Sequence, residues 1–326
     1  MKRIMNICMH FTDLERYADR EDLRSYYRSF GLDGLEVLDC GAADEKGLIT
    51  PEDVIGVHLK YFPCWYCLWA GDRQTVLEEF GDWEEVRRQF GGTDRDAILR
   101  AFRGNLAFAR RFHPRYVVFH VSDVLLSEAV SRKHRYTDEQ IVDAAAELLN
   151  ELFEEDEGFE LLFENLWWPG LTMTDPRITA RLLKKVRYPR LGIMLDVGHL
   201  LHTNTALRTP AEGAKYVRKV LSQYPDRSMV RGLHFHQTLN GAYVEEQKKH
   251  PPVLAGSYNE KSGAAAEYVY HVDSHDPFVG REAEELIDWL DPEYLVYELL
   301  SADRAQHAEY MREIRDSYED YHKFNQ

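Results

Sequence analysis

Eight short apolar runs recur along this chain, separated by stretches with the period of an amphipathic helix. The runs are Arg3–Met9, Gly34–Leu38, Ile55–Leu59, Tyr116–His120, Glu160–Phe163, Leu191–Leu195, Val230–Phe235 and Tyr294–Tyr297. The clearest helical stretches are Asp94–Phe112, Asp138–Glu155, Asp175–Val186, Pro210–Tyr224, Arg281–Leu290 and Asp303–Lys323. Near-continuous apolar strands alternating with helices make a parallel sheet covered on both faces. Eight such units predict a single (β/α)8 barrel over residues 1–326, whose active face is formed by the C-terminal ends of the strands. Thr137 or Asp138 reads as a helix N-cap, and Pro210 after Thr209 reads as a first helical residue.

Two connections are longer than an ordinary strand-to-helix loop. Residues 61–93 follow the third run and contain the aromatic cluster YFPCWYCLW; residues 237–270 follow the seventh and are rich in Lys, Glu, Pro, Gly and Ala. Both leave from the active face, where loops select substrates. Tyr61, Trp65 and Trp69 are therefore substrate-loop candidates, and packing of the loop onto the barrel is the alternative role for these rings. No change of composition marks a second domain or a linker.

The 326 residues carry 40 basic and 56 acidic side chains, a net charge of −16. Proteins that bind duplex nucleic acid usually carry a positive excess against the phosphates, so the balance disfavours that partner. MKRIMNICMH holds no apolar run long enough for a signal segment. No stretch reaches the roughly 20 apolar residues of a membrane span. These features predict a cytoplasmic protein. Cys8 and Cys40 stand alone, whereas Cys64 and Cys67 form a single CxxC. Without a second CxxC or a thioredoxin-like βαβ pattern, that pair reads as reduced thiols with no function of their own.

Nine residues able to ligate a metal fall at the downstream ends of the apolar runs or just beyond them. They are His58, His120, Glu164, Asp196, His199, His234, Asp273, His275 and Glu298. Strand ends of a barrel converge, so side chains far apart in sequence meet at one mouth. Carboxylate and neutral imidazole together suit Zn²⁺, Mn²⁺ and Fe²⁺. A lone strand-end His or Glu is more often a hydrogen-bonded polar residue, but nine of them predict a divalent-metal site. Asp273 and His275, two apart, would point the same way if their segment is extended. Residue spacing leaves the choice between His234 and His236 open.

These residues resemble the xylose-isomerase-like TIM barrels, the superfamily that holds sugar isomerases, epimerases and endonuclease IV. The resemblance runs over most of the chain through scattered motifs. It implies a shared core of Glu164, Asp196, His234 and Glu298, and favours His234 over His236. The remaining five positions resemble those of endonuclease IV and imply three zinc ions. One would take His58, His120 and a bridging Glu164; a second Glu164, Asp196, His234 and Glu298; a third His199, Asp273 and His275. The DSH of VDSHDPFVG carries most of this distinction, since the isomerases and epimerases generally lack it. The chain departs from endonuclease IV in its longer His234–Asp273 interval. It departs from the epimerases in FHQTLNG, where an Asp or Arg is expected.

The combined expectation is an enzyme using one to three divalent metals, zinc first with manganese or iron as alternatives. Its substrate is a small carbohydrate or sugar phosphate, and a homo-oligomer fits the superfamily. The leading reaction is metal-assisted phosphoester hydrolysis, with Glu164 bridging two ions and positioning the attacking water. The alternative is a single-metal isomerase or epimerase in which Glu164 and Glu298 act as acid and base. A true abasic-site DNA endonuclease is the third reading, disfavoured by the acidic charge.

Overall fold

The computed structural model describes residues 1–324 and closes into a barrel of eight parallel strands. They are β1 (Lys2–Cys8), β2 (Gly34–Leu38), β3 (Val54–His58), β4 (Tyr116–His120), β5 (Glu160–Glu164), β6 (Leu191–Asp196), β7 (Val230–His234) and β8 (Tyr294–Tyr297). Each strand pairs with its sequence neighbour, and β8 closes on β1 through pairs such as Ile4 with Val296. The predicted strands are present to within a residue at each end. One expected unit is incomplete, because residues 39–53 join β2 to β3 without a helix.

Alternate residues of each strand face the barrel interior. On that face Ile4, Tyr116, Val118, Leu162, Met194, Tyr294 and Val296 form a compact apolar floor. Two glycines make room for it. A Cβ on Gly56 would lie 2.1 Å from the Tyr116 ring, and one on Gly232 would lie 2.7 Å from the Met194 sulfur. The outward faces, including Val57, Val117, Phe119, Leu161, Phe163, Ile193, Leu195 and Leu233, join the larger core under the helices.

The inward parity continues upward from this floor. Two residues above Gly56 stands His58; two above Val118 stands His120; two above Leu162 stands Glu164. The same step leads from Met194 to Asp196, from Gly232 to His234 and from Val296 to Glu298. Register aligns His120 with Glu164 and Asp196 with His234 across adjacent strands. Apolar floor below and candidate ligands above are thus two layers of one period-2 pattern.

Helix ends follow their sequence signals. Thr137 caps Asp138–Leu152 with a reciprocal Gln140 capping box, and Thr209 does the same with Glu212 ahead of Pro210. The helix Arg20–Ser29, capped by Asp19, was not among the predicted segments. The two long connections are largely helical. The first contains Trp65–Trp69, Arg73–Phe80 and Trp83–Phe90; the second contains Gly241–Gln247 and Tyr258–Val272. Tyr268 and Val272 from the last of these pack with Val130 of Leu126–Ser131, so the connections after β4 and β7 meet beside the barrel mouth. No helix among the described residues is long and apolar enough to cross a membrane.

Candidate metal centre at the barrel mouth

All nine sequence-predicted ligands meet at the C-terminal mouth, and they sort into overlapping donor groups. Donor atoms of His58, His120 and Glu164 lie within 4.8 Å of one another, as do those of Glu164, Asp196, His234 and Glu298. A further group by the same measure holds His199, His236, Asp273 and His275. Glu164 is common to the first two sets. His58, His234 and Glu298 also converge, so the sets are contiguous.

The hydrogen bonds around the rings determine which imidazole nitrogen is free. His58 Nδ1 donates to the Leu59 carbonyl at 2.8 Å, leaving Nε2 at 2.7 Å from Glu164 Oε2. His234 Nε2 lies 3.1 Å from Glu36 Oε1, and its Nδ1 lies 3.0 Å from Glu298 Oε2 and 3.4 Å from Glu164 Oε1. His199 Nδ1 donates to the Asn165 carbonyl at 2.9 Å, and His275 Nδ1 donates to the Glu298 carbonyl at 3.0 Å. Both Nε2 atoms then face Asp273 Oδ2, at 3.1 and 3.0 Å. A ligating histidine is normally held this way, its second nitrogen donating to a carbonyl or carboxylate.

The carboxylates are held equally firmly. Asp196 caps the helix Val197–His202, its Oδ1 accepting the His199 amide at 2.6 Å. The Asn165 side chain clamps the Asp196 backbone with two bonds of 2.9 Å, one to its amide and one to its carbonyl. Asp273 accepts the Thr238 hydroxyl at 3.1 Å. Glu164, Asp196 and His234 are wholly buried.

Burial pushes the Glu164 carboxyl up, but the imidazoles of His120, His234 and His58 outweigh it and hold the group well below the usual carboxylate range. Burial likewise opposes ionisation of Asp273, and His275 and His199 overcome it. The imidazoles respond in the opposite sense. Burial lowers His58 and His275, yet Glu164 and Asp273 respectively raise each to about 9. His120 differs: burial dominates and lowers its pKa.

Several buried polar atoms have no hydrogen-bond partner among the described residues, and they concentrate here. Glu164 Oε1, His234 Nδ1, Glu298 Oε2, His120 Nδ1 and His236 Nδ1 all belong to this centre. Unsatisfied buried polar atoms are costly and uncommon in proteins. Carboxylate and imidazole lone pairs converging within ligand distance fit a divalent cation, and the mixture matches zinc, manganese or iron.

The structure departs from the sequence expectations in three respects. Asp273 and His275 do not share an extended segment: Asp273 is the C-cap of Tyr258–Val272, and His275 is left-handed with φ +48°. The helix end and the reversed residue bring them together. His236 does not compete with His234 for one place, because β7 ends at His234 and the chain turns His236 into the neighbouring group. Trp65 and Trp69 are buried in the loop's own packing, with the Trp65 indole donating to the Ser122 carbonyl at 2.9 Å and Trp69 carrying Arg95 over its ring at 3.8 Å. Of the three substrate-loop candidates only Tyr61 is placed beside the ligands, its ring 5.2 Å from that of His120.

Sequence reasoning missed Glu36 and Asn165, and weighed His236 only as an alternative to His234. Glu36 left one signal, a lone charged residue inside the apolar run GLEVL. Asn165 and His236 each stand beside or near a predicted ligand, and nothing in their spacing separates them from ordinary polar neighbours. Trp167 adds a wall, with its ring 5.2 Å from His199 and 4.7 Å from His202.

Residues 88–241 match the family model described as xylose isomerase-like TIM barrel. The closed eight-stranded barrel defines the class as a (β/α)8 TIM barrel, and the family match lies within it. Among solved structures, endonuclease IV from Thermus thermophilus is similar at 13% identity, covering 98% of this chain and 100% of that one, with a TM-score of 0.50. A candidate xylose isomerase from Rhodospirillum rubrum is also 13% identical, covering 99% of each chain, with a TM-score of 0.54. Both relatives are named for enzymes, and at these identities the likeness is one of fold. No curated protein sequence matches the chain.

Proposed function

We propose that this protein is a divalent-metal-dependent enzyme that hydrolyses a phosphoester of a small carbohydrate. The single observation carrying this reading is that Glu164 is shared between two donor groups while a third group lies alongside. A single-metal enzyme has no use for so many buried, mutually oriented ligands. His58, His120 and Glu164 would hold one ion; Glu164, Asp196, His234 and Glu298 a second; His199, Asp273 and His275 a third. Bound ions would supply Lewis-acid stabilisation of the phosphoryl oxygens and lower the pKa of the attacking water. Zinc is the first choice for this donor mixture.

The protein's own groups then have distinct tasks. Glu164, kept ionised by the surrounding imidazoles, orients the water between the first two groups. Water oxygen adds to phosphorus, the ester P–O bond breaks, and the sugar hydroxyl leaves with a proton. Tyr61, over His120, and Trp167, over His199, form apolar walls for the sugar. Trp65 and Trp69 are committed to packing, which removes the large rings that would wedge open a DNA duplex.

A second reading rests on the completeness of Glu164, Asp196, His234 and Glu298 as one four-residue set. With one ion there, Glu164 and Glu298 would exchange a proton with a substrate carbon in sugar isomerisation or epimerisation. The test is a panel of sugar phosphates given to zinc-reconstituted protein, followed by NMR for both phosphate release and sugar interconversion. Metal-dependent release of inorganic phosphate is expected. Interconversion without phosphate release would overturn the hydrolase reading, and efficient nicking of an abasic duplex at moderate salt would overturn the small substrate.

A further inference from the structure

His236 changes the nature of the third donor group. Its ring is fully buried, and Nε2 donates to Asp196 Oδ2 at 2.9 Å. That bond fixes the tautomer and leaves the lone pair on Nδ1, a buried atom without a hydrogen-bond partner among the described residues. His236 belongs to the same 4.8 Å cluster as His199, Asp273 and His275. All three histidines of the cluster thus have one nitrogen engaged by a carbonyl or carboxylate; the Nε2 atoms of His199 and His275 face Asp273, and His236 Nδ1 is left without a partner. Gly198 makes this placement achievable, since a Cβ there would stand 2.0 Å from His236 Cε1.

We propose that the third site is closed by four protein ligands, with His236 as the fourth, and that its ion is structural. This inference rests on the multimetal reading above and adds to it a division of labour. Catalytic sites keep a coordination position open for water or substrate, whereas closed tetrahedral sites hold folds together. Three histidines and one aspartate complete a tetrahedron. Chain topology points to what the ion holds. His236 begins the long connection after β7, Asp273 and His275 end it, and His199 belongs to the short helix Val197–His202 after β6. The backbone already closes the same neck, Gln237 N–H donating to the Asp276 carbonyl at 2.8 Å and Asp276 N–H returning a bond at 3.0 Å. An ion on these four residues therefore clasps the insertion that carries Tyr258–Val272, while the two groups sharing Glu164 remain for chemistry.

One local adjustment is required. The His236 and His275 rings are stacked, 3.8 Å between centroids and 7° between planes. In-plane lone pairs of parallel rings do not meet at one point, so ligation tilts one ring out of the stack.

Co²⁺ alone serves as the probe, titrated into the chelator-stripped full chain while visible spectra and thermal midpoint are recorded. For the wild type, one ion should give the intense bands of a four-coordinate N/O site and raise the midpoint with no substrate present. His236→Ala should weaken that ion by on the order of a hundredfold. Its bands should shift to the weak five- or six-coordinate form, and backbone hydrogen exchange over Gly241–Val272 should rise. Gly198→Ala, which moves the ring without deleting a donor, should reproduce the shift if His236→Ala fails to fold. An unchanged spectrum and affinity in these variants would overturn the closed site while leaving the multimetal reading intact. A wild-type chain that binds fewer than two Co²⁺ would refute both.

Discussion

Glu36 provides a test of how the centre is organised, because it touches no substrate and acts only through His234. Its carboxylate is 2% exposed, lies 3.1 Å from His234 Nε2 and accepts the Tyr116 hydroxyl at 2.7 Å. In Glu36→Gln the amide oxygen can still accept from His234 Nε2–H, and the amide NH₂ can turn to the Tyr116 oxygen. Shape and tautomer survive, and the negative charge is lost. A hydrogen bond to a charged acceptor contributes about 1.5–3 kcal/mol against about 0.5–1.5 for a neutral one. The difference, about 1–2 kcal/mol, corresponds to roughly tenfold in affinity. Orienting partners of metal ligands typically contribute 10–100-fold. The expected outcome is therefore a 10- to 100-fold weaker Zn²⁺ at the Glu164, Asp196, His234 and Glu298 group, read by competition with a chelator. The metal-free protein should melt within a degree or two of wild type. Unchanged affinity accompanied by a large loss of metal-free stability would refute this reasoning and assign Glu36 to core packing.

Other consequences can be checked separately. Trp65→Ala should cost about 3–5 kcal/mol of stability in urea, as deletion of a buried tryptophan does, whereas Tyr61→Ala should leave stability near wild type and raise KM. Gly56→Ala should destabilise by about 1–3 kcal/mol, because its Cβ would be forced against the Tyr116 ring; unchanged stability would mean that the floor yields more easily than its packing implies. His307 tests pH linkage at a residue outside the donor groups. Burial, with Arg16 nearby, lowers it from the ordinary 6.5 to about 4 while the Tyr26 hydroxyl bonds its Nδ1 at 2.7 Å. Between those values the unfolded chain binds the extra proton, so stability rises with pH across the window, and about 3 kcal/mol is lost on acidification to pH 4. His307→Gln should flatten that part of the metal-free stability curve, and an identical slope in the variant would argue against the assignment.

Much of the fold was legible because barrel strands are buried on both faces and read as unbroken apolar runs. The strand-end candidate ligands were legible for a related reason: a His or Glu directly after such a run stands out against it. Glu36 broke the same pattern in the middle of β2, yet a single interior carboxylate has no spacing partner to reveal its role. His236 was obscured by irregular backbone. Alternation places it on the same face as His234 only while the strand lasts, and β7 ends first. The Asp273–His275 pair was found by motif, but its conformation came from a helix cap and a left-handed residue that two-residue spacing cannot specify. Helices inside the long connections were missed where aromatic clustering and Pro, Gly and Lys content masked their period.

The central claim is that these converging side chains form one multimetal centre. Its most direct test is the number of zinc ions retained per chain, measured by elemental analysis after stripping, reconstitution and removal of loosely bound metal. Three ions in the wild type, and two after His199→Ala combined with Asp273→Ala, are the predicted values. One ion per chain, bound as in wild type by the His199→Ala and Asp273→Ala proteins, would contradict the account.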